Sequence, residues 1–209
     1  MTSYRNQAPR AVVTVCYTYS MTYFQDLAWP EVFATWSANE ESNPSWQKVA
    51  REVKGWPDWR SWRLFTIGQL KLDQREWKLF RLDDPMQELS SLLLGPYSGW
   101  QSRVPKPNEA TFADLVNIPE QHEYYTQHTM ISTLQKNFPV DTQLMGLRRP
   151  DGKIVCIDGH HRALAAALAK RDGTPMRFGE VRMAIANLGP GEESILDSTL
   201  ARGTTKDPR

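Results

Sequence analysis

Two histidines and an arginine, His160, His161 and Arg162, directly follow Asp158 and Gly159. Together these residues offer a carboxylate, two imidazoles and a guanidinium, groups that bind phosphate, hold a metal ion or move a proton. A guanidinium donates forked hydrogen bonds to phosphate oxygens, and a carboxylate suits Mg²⁺. The turn therefore predicts a site for an anionic ligand.

The elements that flank this turn explain why it should bind an anion. Residues 154–157 form a short β-branched run and residues 163–170 are strong helix formers, so a strand should pass into a helix at Asp158-Gly159. The first turn of a helix has unpaired N–H groups and the positive end of the helix dipole. Gly159 would let the backbone approach a ligand closely. The alternative is that Asp158 only caps the helix and its neighbours lie in solvent.

The same residues carry a resemblance to a known family. Asp158-Gly159-His160-His161-Arg162, followed by alanines at 163, 165 and 166, is similar to the ligand loop of the ParB/sulfiredoxin superfamily. In that superfamily a strand, a Gly-x-His-Arg or related loop and an alanine-rich helix hold nucleotide phosphates. The predicted flanks agree with it over residues 120–172: a helix ending at 138, a strand at 142–147 and a hairpin at 149–152.

The resemblance implies an α+β fold, a ParB/sulfiredoxin-like small mixed sheet with packed helices, extended here by a Trp-rich N-terminal part. It also implies ATP or ADP together with Mg²⁺, with phosphates on Gly159, His160, His161 and Arg162 and the metal on Asp158. Asp158, His160 and His161 are the candidate catalytic residues.

Two branches of the superfamily fit this chain less well. Sulfiredoxins carry their reactive cysteine where this chain has His160, and the short segment after Gly173 leaves little room for a ParB-type DNA-binding region. The remaining members include free-serine kinases, nucleotide hydrolases and nucleases. We therefore expect a phosphotransferase acting on a small hydroxylated metabolite, or a nucleotide hydrolase. The alternatives are a nuclease or nucleic-acid-binding protein, and a non-catalytic ligand-binding or protein-binding module.

Aromatic residues are unevenly distributed. All eight tryptophans lie in the first half of the chain, at 29, 36, 46, 56, 59, 62, 77 and 100. Residues 56–63 interleave indoles with arginines, which favours a packing cluster, with nucleobase stacking as the alternative. Residues 95–103 predict a lid in which Tyr97, Trp100 and Arg103 close over the ligand. An ordinary surface loop with anchoring aromatics is the alternative there.

Composition narrows the functional classes. The 209 residues include 25 basic and 24 acidic side chains, and this near-neutral balance disfavours a nucleic-acid partner. Cys16 and Cys156 lie in apolar runs, which indicates buried free thiols and a cytoplasmic protein. No apolar run approaches the roughly 18 residues of a membrane span. Residues 1–75, 76–188 and 189–209 divide into a Trp-rich part, the motif domain and a tail, expected to form one compact unit.

The remaining elements follow from periodicity and from turn residues. Strands are predicted at 11–19, 65–72 and 77–82, with a helix from 64 as the alternative to the second strand. Helices are predicted at 29–37, 43–53, 86–94 and 119–138. His128 lies on the apolar stripe of the last helix and is predicted to be a packed core residue. The four histidines show no i, i+4 pair, so a structural zinc site is not expected.

Overall fold

A computed structural model describes residues 19–207, in which five strands form one mixed sheet. The strands are β1 (Met21–Leu27), β2 (Trp77–Leu82), β3 (Asp141–Arg148), β4 (Ile154–Asp158) and β5 (Glu180–Asn187). Their spatial order is β1-β2-β5-β3-β4, and β3 and β5 are the parallel pair. The predicted α+β class and mixed sheet are confirmed.

Helices cover both faces of the sheet. Within the described range they are α1 (Trp29–Glu40), α2 (Pro44–Lys48), α3 (Trp59–Leu70), α4 (Pro85–Ser91), α5 (Ser98–Gln101), α6 (Phe112–Asn117), α7 (Pro119–Thr126), α8 (Thr129–Lys136), α9 (His160–Asp172) and α10 (Ser194–Arg202). A π-helical turn, Val49–Val53, directly follows α2.

The alternation of side chains along the strands creates two cores. Ile154 and Cys156 of β4 face one core, where α4, α6, α8 and the alanine-rich side of α9 pack. Val155 and Ile157 face the other core, which contains α1, α3 and α10. Because side chains of a strand point alternately to the two sides, one short strand joins both cores. The carboxyl end of β4, where α9 begins, is therefore fixed from both sides.

The Trp-rich part forms an aromatic cluster on the second core. Trp36, Trp59 and Trp62 are at most 5% exposed, and their indoles surround the guanidinium of Arg63. The carbon Cζ of that guanidinium lies 3.9 Å from the centre of the Trp62 ring. Arg63 also bonds the carboxylate of Glu40 at 2.6 Å, which links α1 to α3. The predicted packing role of this region is confirmed for these residues.

A short extended segment after α4 covers the outer edge of β4. The N–H of Leu93 donates to Ile154 O at 2.8 Å, and the N–H of Cys156 donates to Leu93 O at 2.9 Å. The predicted helix at 86–94 therefore ends early, at Ser91, because the next residues pair with β4 instead. This pairing carries the chain to Gly95, directly beside the start of α9.

Two predictions were wrong. Residues 65–72 are not a strand: they belong to α3 and the turn after it, as the alternative had it. Asp58 caps this helix by accepting the N–H of Ser61 at 2.7 Å, and its buried residues follow a helical period. The helix predicted at 119–138 is broken into α7 and α8, because His128 adopts an extended conformation between them. That break lets α8 pack along α9.

The other predicted elements are present in the structure, except for those that fall outside the described residues. Helices at 29–37 and 43–53, the strand at 77–82 and the hairpin between β3 and β4 are present. Cys156 is buried and free, whereas Cys16 and all but the last residue of the predicted strand at 11–19 lie outside the described residues. Among residues 19–207, no helix combines the length and apolar character needed to cross a membrane.

Replacing Arg63 with Met should lower the free energy of unfolding by about 3–5 kcal/mol, because Glu40 would keep a buried and unpaired charge. Without the guanidinium the pKa of the Glu40 carboxyl in the folded state rises further above its unfolded value. Protonation therefore relieves the penalty, and the loss should be smaller at about pH 5 than at about pH 8. Urea unfolding of the variant and the wild type at both pH values measures this loss in the free energy of unfolding. Arg60→Met, which removes an exposed pair with Glu41, is the matched control and should cost under about 1 kcal/mol. A loss that does not depend on pH would contradict the role of Glu40.

Candidate functional site

A cavity of about 540 Å³ opens at the start of α9, between the two halves of the molecule. Its size is typical of sites for small molecules. One wall is the turn of residues 157–162, and the opposite wall comes from α1, α2 and α3. The charged or aromatic residues that line it are Glu40, Trp46, Lys54, Trp62, Arg63, Tyr97, Trp100, Asp141, Asp158, His160, His161 and Arg162.

The backbone at the start of α9 is arranged to receive an acceptor. The N–H groups of His160, His161 and Arg162 have no hydrogen-bond acceptor among the described residues, and the first helical bond is that of Ala163 to Gly159. Gly159 has a φ of +102°, and a Cβ there would stand 2.4 Å from a carbon of Leu144. Only glycine fits this turn, because of its positive φ and the contact with Leu144, while close approach to a ligand stays a prediction. Unpaired helical N–H groups of this kind bind anions.

Arg162 is held as a fixed cation beside these N–H groups. Its guanidinium bonds Asp158 Oδ2 at 2.9 Å, the carbonyl oxygen of Gln143 at 3.0 Å and the hydroxyl of Thr142. Asp158 therefore pairs with Arg162 and does not cap α9, whose N-cap residue is Gly159 and which has no side-chain cap among the described residues. The second oxygen, Asp158 Oδ1, accepts no hydrogen bond from the described residues.

His160 is locked into the framework of the site. Its Nε2 accepts the N–H of Gly95 at 3.1 Å, so the hydrogen is on Nδ1, which lies 3.8 Å from the sulfur of Cys156. The ring stacks on Trp100 with centroids 5.1 Å apart. Burial, followed by the charges of His161, Arg63 and Arg162, holds its pKa well below the usual value. With both nitrogens engaged, His160 is neutral and positions the turn.

His161, in contrast, has free ring nitrogens. The side chain contacts the indoles of Trp46 and Trp100 and forms no hydrogen bond with the described residues. Burial, and next the neighbouring His128, lower its pKa to about 4. His128 is half-buried with its ring centre 6.4 Å from that of His161, so it borders the site and is not the core residue predicted. Of the two adjacent histidines, only His161 is available to a ligand.

Glu40 brings a second carboxylate to the cavity, opposite Asp158. Its Oε2 accepts hydrogen bonds from Trp59 Nε1 and from two nitrogens of Arg63, while Oε1 has no partner among the described residues. Burial raises the pKa of Glu40 and the charge of Asp158 adds to it, although Arg63 acts in the opposite direction. Glu40 is thus a buried carboxylate with one free oxygen and increased basicity.

The loop at 95–103 forms a fixed wall of the site. Gln101 donates to the carbonyl oxygens of Leu94 and Gly95 at 3.0 and 2.8 Å, which ties the loop to its own base. Tyr97 and Trp100 face the cavity, as the lid prediction requires, whereas Arg103 lies over Tyr124 on α7 and does not line it. Closure over a ligand stays a prediction.

No cluster of three or more metal-ligating side chains exists among residues 19–207. Mg²⁺ does not need one, because it binds through one or two carboxylates together with substrate phosphates and water. Asp158 with its free Oδ1 remains the candidate ligand, and Glu40 and Asp141 are the other carboxylates lining the cavity.

Sequence reasoning missed the contribution of the N-terminal half to the site. Glu40, Trp46, Lys54 and Arg63 line the cavity although they lie about 100 residues or more from the turn at 158–162. The one available signal was Arg63 among the tryptophans, which we interpreted as packing. It packs and lines the cavity at once. Glu40 and Lys54 had no local signal.

No protein-family model matches the chain, and neither a curated protein nor a solved structure matches it. The chemistry of the cavity therefore rests on its own geometry.

Stability should depend on His161 in mildly acidic solution. Because its folded pKa of about 4 lies below the unfolded value of 6.5, the unfolded chain takes up the proton first and stability falls as the pH drops from 6.5 to 4. His161→Gln should make this fall shallower by about 1 kcal/mol per pH unit. Urea unfolding at about pH 6 and about pH 5 measures the slope. Equal slopes for the variant and the wild type would mean that His161 takes up a proton in the folded protein.

Proposed function

We propose that this protein is a nucleotide-binding enzyme of the ParB/sulfiredoxin-like type that transfers the terminal phosphate of ATP or ADP to a small hydroxylated metabolite. The observation that carries the proposal is the set of N–H groups of His160, His161 and Arg162, which have no acceptor among the described residues and belong to residues that line a cavity of about 540 Å³. A phosphate there accepts these hydrogen bonds and meets the fixed guanidinium of Arg162.

The aromatic walls suit the rest of a nucleotide. The indoles of Trp46 and Trp100 both contact His161, with ring centres 6.4 and 5.4 Å from that of the imidazole. Flat aromatic surfaces stack on a purine base, and each such contact contributes about 1–3 kcal/mol. Both indoles are only partly buried, so they retain surface for a ligand. The cavity thus offers donors for phosphates next to apolar surface for a base.

Phosphoryl transfer mainly requires positioned charges and a group that accepts the proton of the attacking hydroxyl. In the proposed reaction the acceptor oxygen bonds the terminal phosphorus, the bond to the bridging oxygen breaks and ADP or AMP leaves. Glu40 is the best base in the cavity, since its carboxylate has a raised pKa and a free Oε1. His161, with a pKa of about 4, is a weaker base.

The residues present also fit a Mg²⁺ ion bound along with the nucleotide. Asp158 would hold it through Oδ1, while Arg162 on Oδ2 keeps the carboxylate in place. Bound there, the ion would neutralise phosphate charge.

Hydrolysis is the closely related outcome if water replaces the acceptor. A nuclease is less well supported, because Trp59 and Trp62, two of the three indoles of the proposed stacking platform at 56–63, are buried in the aromatic cluster. A non-catalytic binding module would use the same cavity without turnover.

Arg162→Gln should weaken the binding of ATP and ADP by about 10- to 100-fold, because a charge-assisted and forked contact to phosphate is lost. Isothermal titration calorimetry with and without Mg²⁺ measures the affinity for both nucleotides. Lys170→Gln, at the opposite end of α9, is the matched control and should bind as the wild type does. Absence of nucleotide binding to the wild type would overturn the proposal.

Glu40→Gln should reduce turnover by about 10²- to 10⁴-fold, the usual contribution of a general base, with ADP affinity unchanged. Phosphorus NMR on mixtures of ATP with hydroxylated acceptors follows the phosphorylated product. Glu41→Gln, whose carboxylate pairs with exposed Arg60, should retain full activity. Equal activity of both variants would exclude Glu40 as the base.

A further inference from the structure

One charge in the cavity is unpaired. Arg63 pairs with Glu40, Arg162 pairs with Asp158 and Asp141 pairs with Arg182 on the neighbouring strand. The ammonium of Lys54, in contrast, has neither a hydrogen bond nor an ion pair with any residue in the range 19–207. Among the charged side chains that line the cavity, Lys54 is thus the one without an ion pair in the range 19–207.

Lys54 is held in place by the backbone around it. Its carbonyl oxygen accepts the N–H of Lys206 at 2.8 Å, and Trp56 Nε1 donates to the carbonyl oxygen of Thr204 at 3.0 Å. Thr204 itself lines the cavity. The segment that follows α10 thus closes this end of the cavity and fixes the position from which the Lys54 side chain extends.

A second unpaired donor lies in the same wall. The Nε1 atom of Trp62 is buried and has no hydrogen-bond partner among the described residues, and the ammonium nitrogen of Lys54 lies 5.7 Å from the centre of the Trp62 ring. Buried donors are nearly always satisfied in folded proteins, so an unpaired one calls for a partner. This end of the cavity therefore has an ammonium without an acceptor among residues 19–207, and it lies against the ring of Trp62, whose own N–H is buried and unsatisfied.

The charge of Arg63 acts on both this end of the cavity and the start of α9. Burial and then the charge of Arg63 lower the pKa of Lys54, and Arg63 also contributes to lowering the pKa of His160. Arg63 is therefore within electrostatic range of both ends. A half-buried ammonium beside another cation is unfavourable when unpaired, and an anion at Lys54 would remove that penalty.

We propose that the Lys54 end of the cavity is a second anion subsite, which binds the phosphate acceptor through a carboxylate or phosphate group. The acceptor is then an acidic hydroxylated metabolite rather than a neutral sugar or polyol. The role of this ligand as phosphate acceptor rests on the proposed phosphoryl transfer, whereas anion binding at Lys54 does not.

Three probes with the same three-carbon skeleton test this subsite. Glycerate carries a carboxylate, glycerol phosphate carries a phosphate, and glycerol is neutral. Each is titrated into the wild type, Lys54→Met and Lys48→Met while the indole N–H signals are followed by NMR, with the Trp62 signal assigned through Trp62→Phe. Lys48 is the matched control, because it lies six residues earlier on the same helical segment and is exposed. ADP titrations on the same proteins give the nucleotide affinity.

We expect at least one of the two anions to bind and to shift the Trp62 signal. Binding of glycerate would indicate a carboxylate subsite, and binding of glycerol phosphate would indicate a phosphate subsite. Lys54→Met should weaken that binding by about tenfold or more, as expected for a lost charge-assisted contact, while Lys48→Met and ADP affinity stay unchanged. Anion binding without any ADP binding would uphold the subsite and overturn the proposed function. Failure of both anions to bind, equal binding of glycerol, or a Lys54→Met variant that loses ADP affinity instead would overturn the subsite.

Discussion

The buried guanidinium of Arg63 is the constraint on which the rest of this structure depends. A cation removed from water needs compensation, and here the carboxylate of Glu40 and four surrounding indoles supply it. Because those groups come from α1, α2 and α3, satisfying one charge aligns all three helices. The same arrangement turns Glu40 toward the cavity, so the interaction that holds the N-terminal half together also forms one wall of the candidate site.

The opposite wall of the cavity, at the start of α9, contains one histidine that holds the turn in place and one that stays available to a ligand. His160 uses both ring nitrogens to join α9, Gly95 and Cys156, and a Cβ at residue 95 would come within 2.4 Å of its Nε2. His161, the next residue, is left without a hydrogen bond. Adjacent residues of one type therefore differ in availability because the helix turns them about 100° apart, toward different surroundings.

Features specified by neighbouring residues could be predicted, and features specified by distant ones could not. The passage from β4 to α9, the hairpin before it and the strand β2 follow from local periodicity and turn residues. The strand predicted at 65–72 was wrong, because the spacing of Trp59, Trp62 and Thr66 is that of a helix and not that of a strand. The break at His128 and the early end of α4 depend on packing against α9 and β4. The positions of Glu40 and Lys54 in the site depend on the tertiary fold.

The π-helical turn at Val49–Val53 has a consequence for how such a cavity changes over time. In this turn the N–H of Lys54 bonds the carbonyl of Val49, five residues back, so the helix accommodates one residue more than an α-helix does. Loss of a single residue here would return the turn to α-helical geometry and leave the segment that follows, including Lys54, near its present position. This part of the cavity wall can therefore lose one residue of chain length while the helices on either side of it keep their positions.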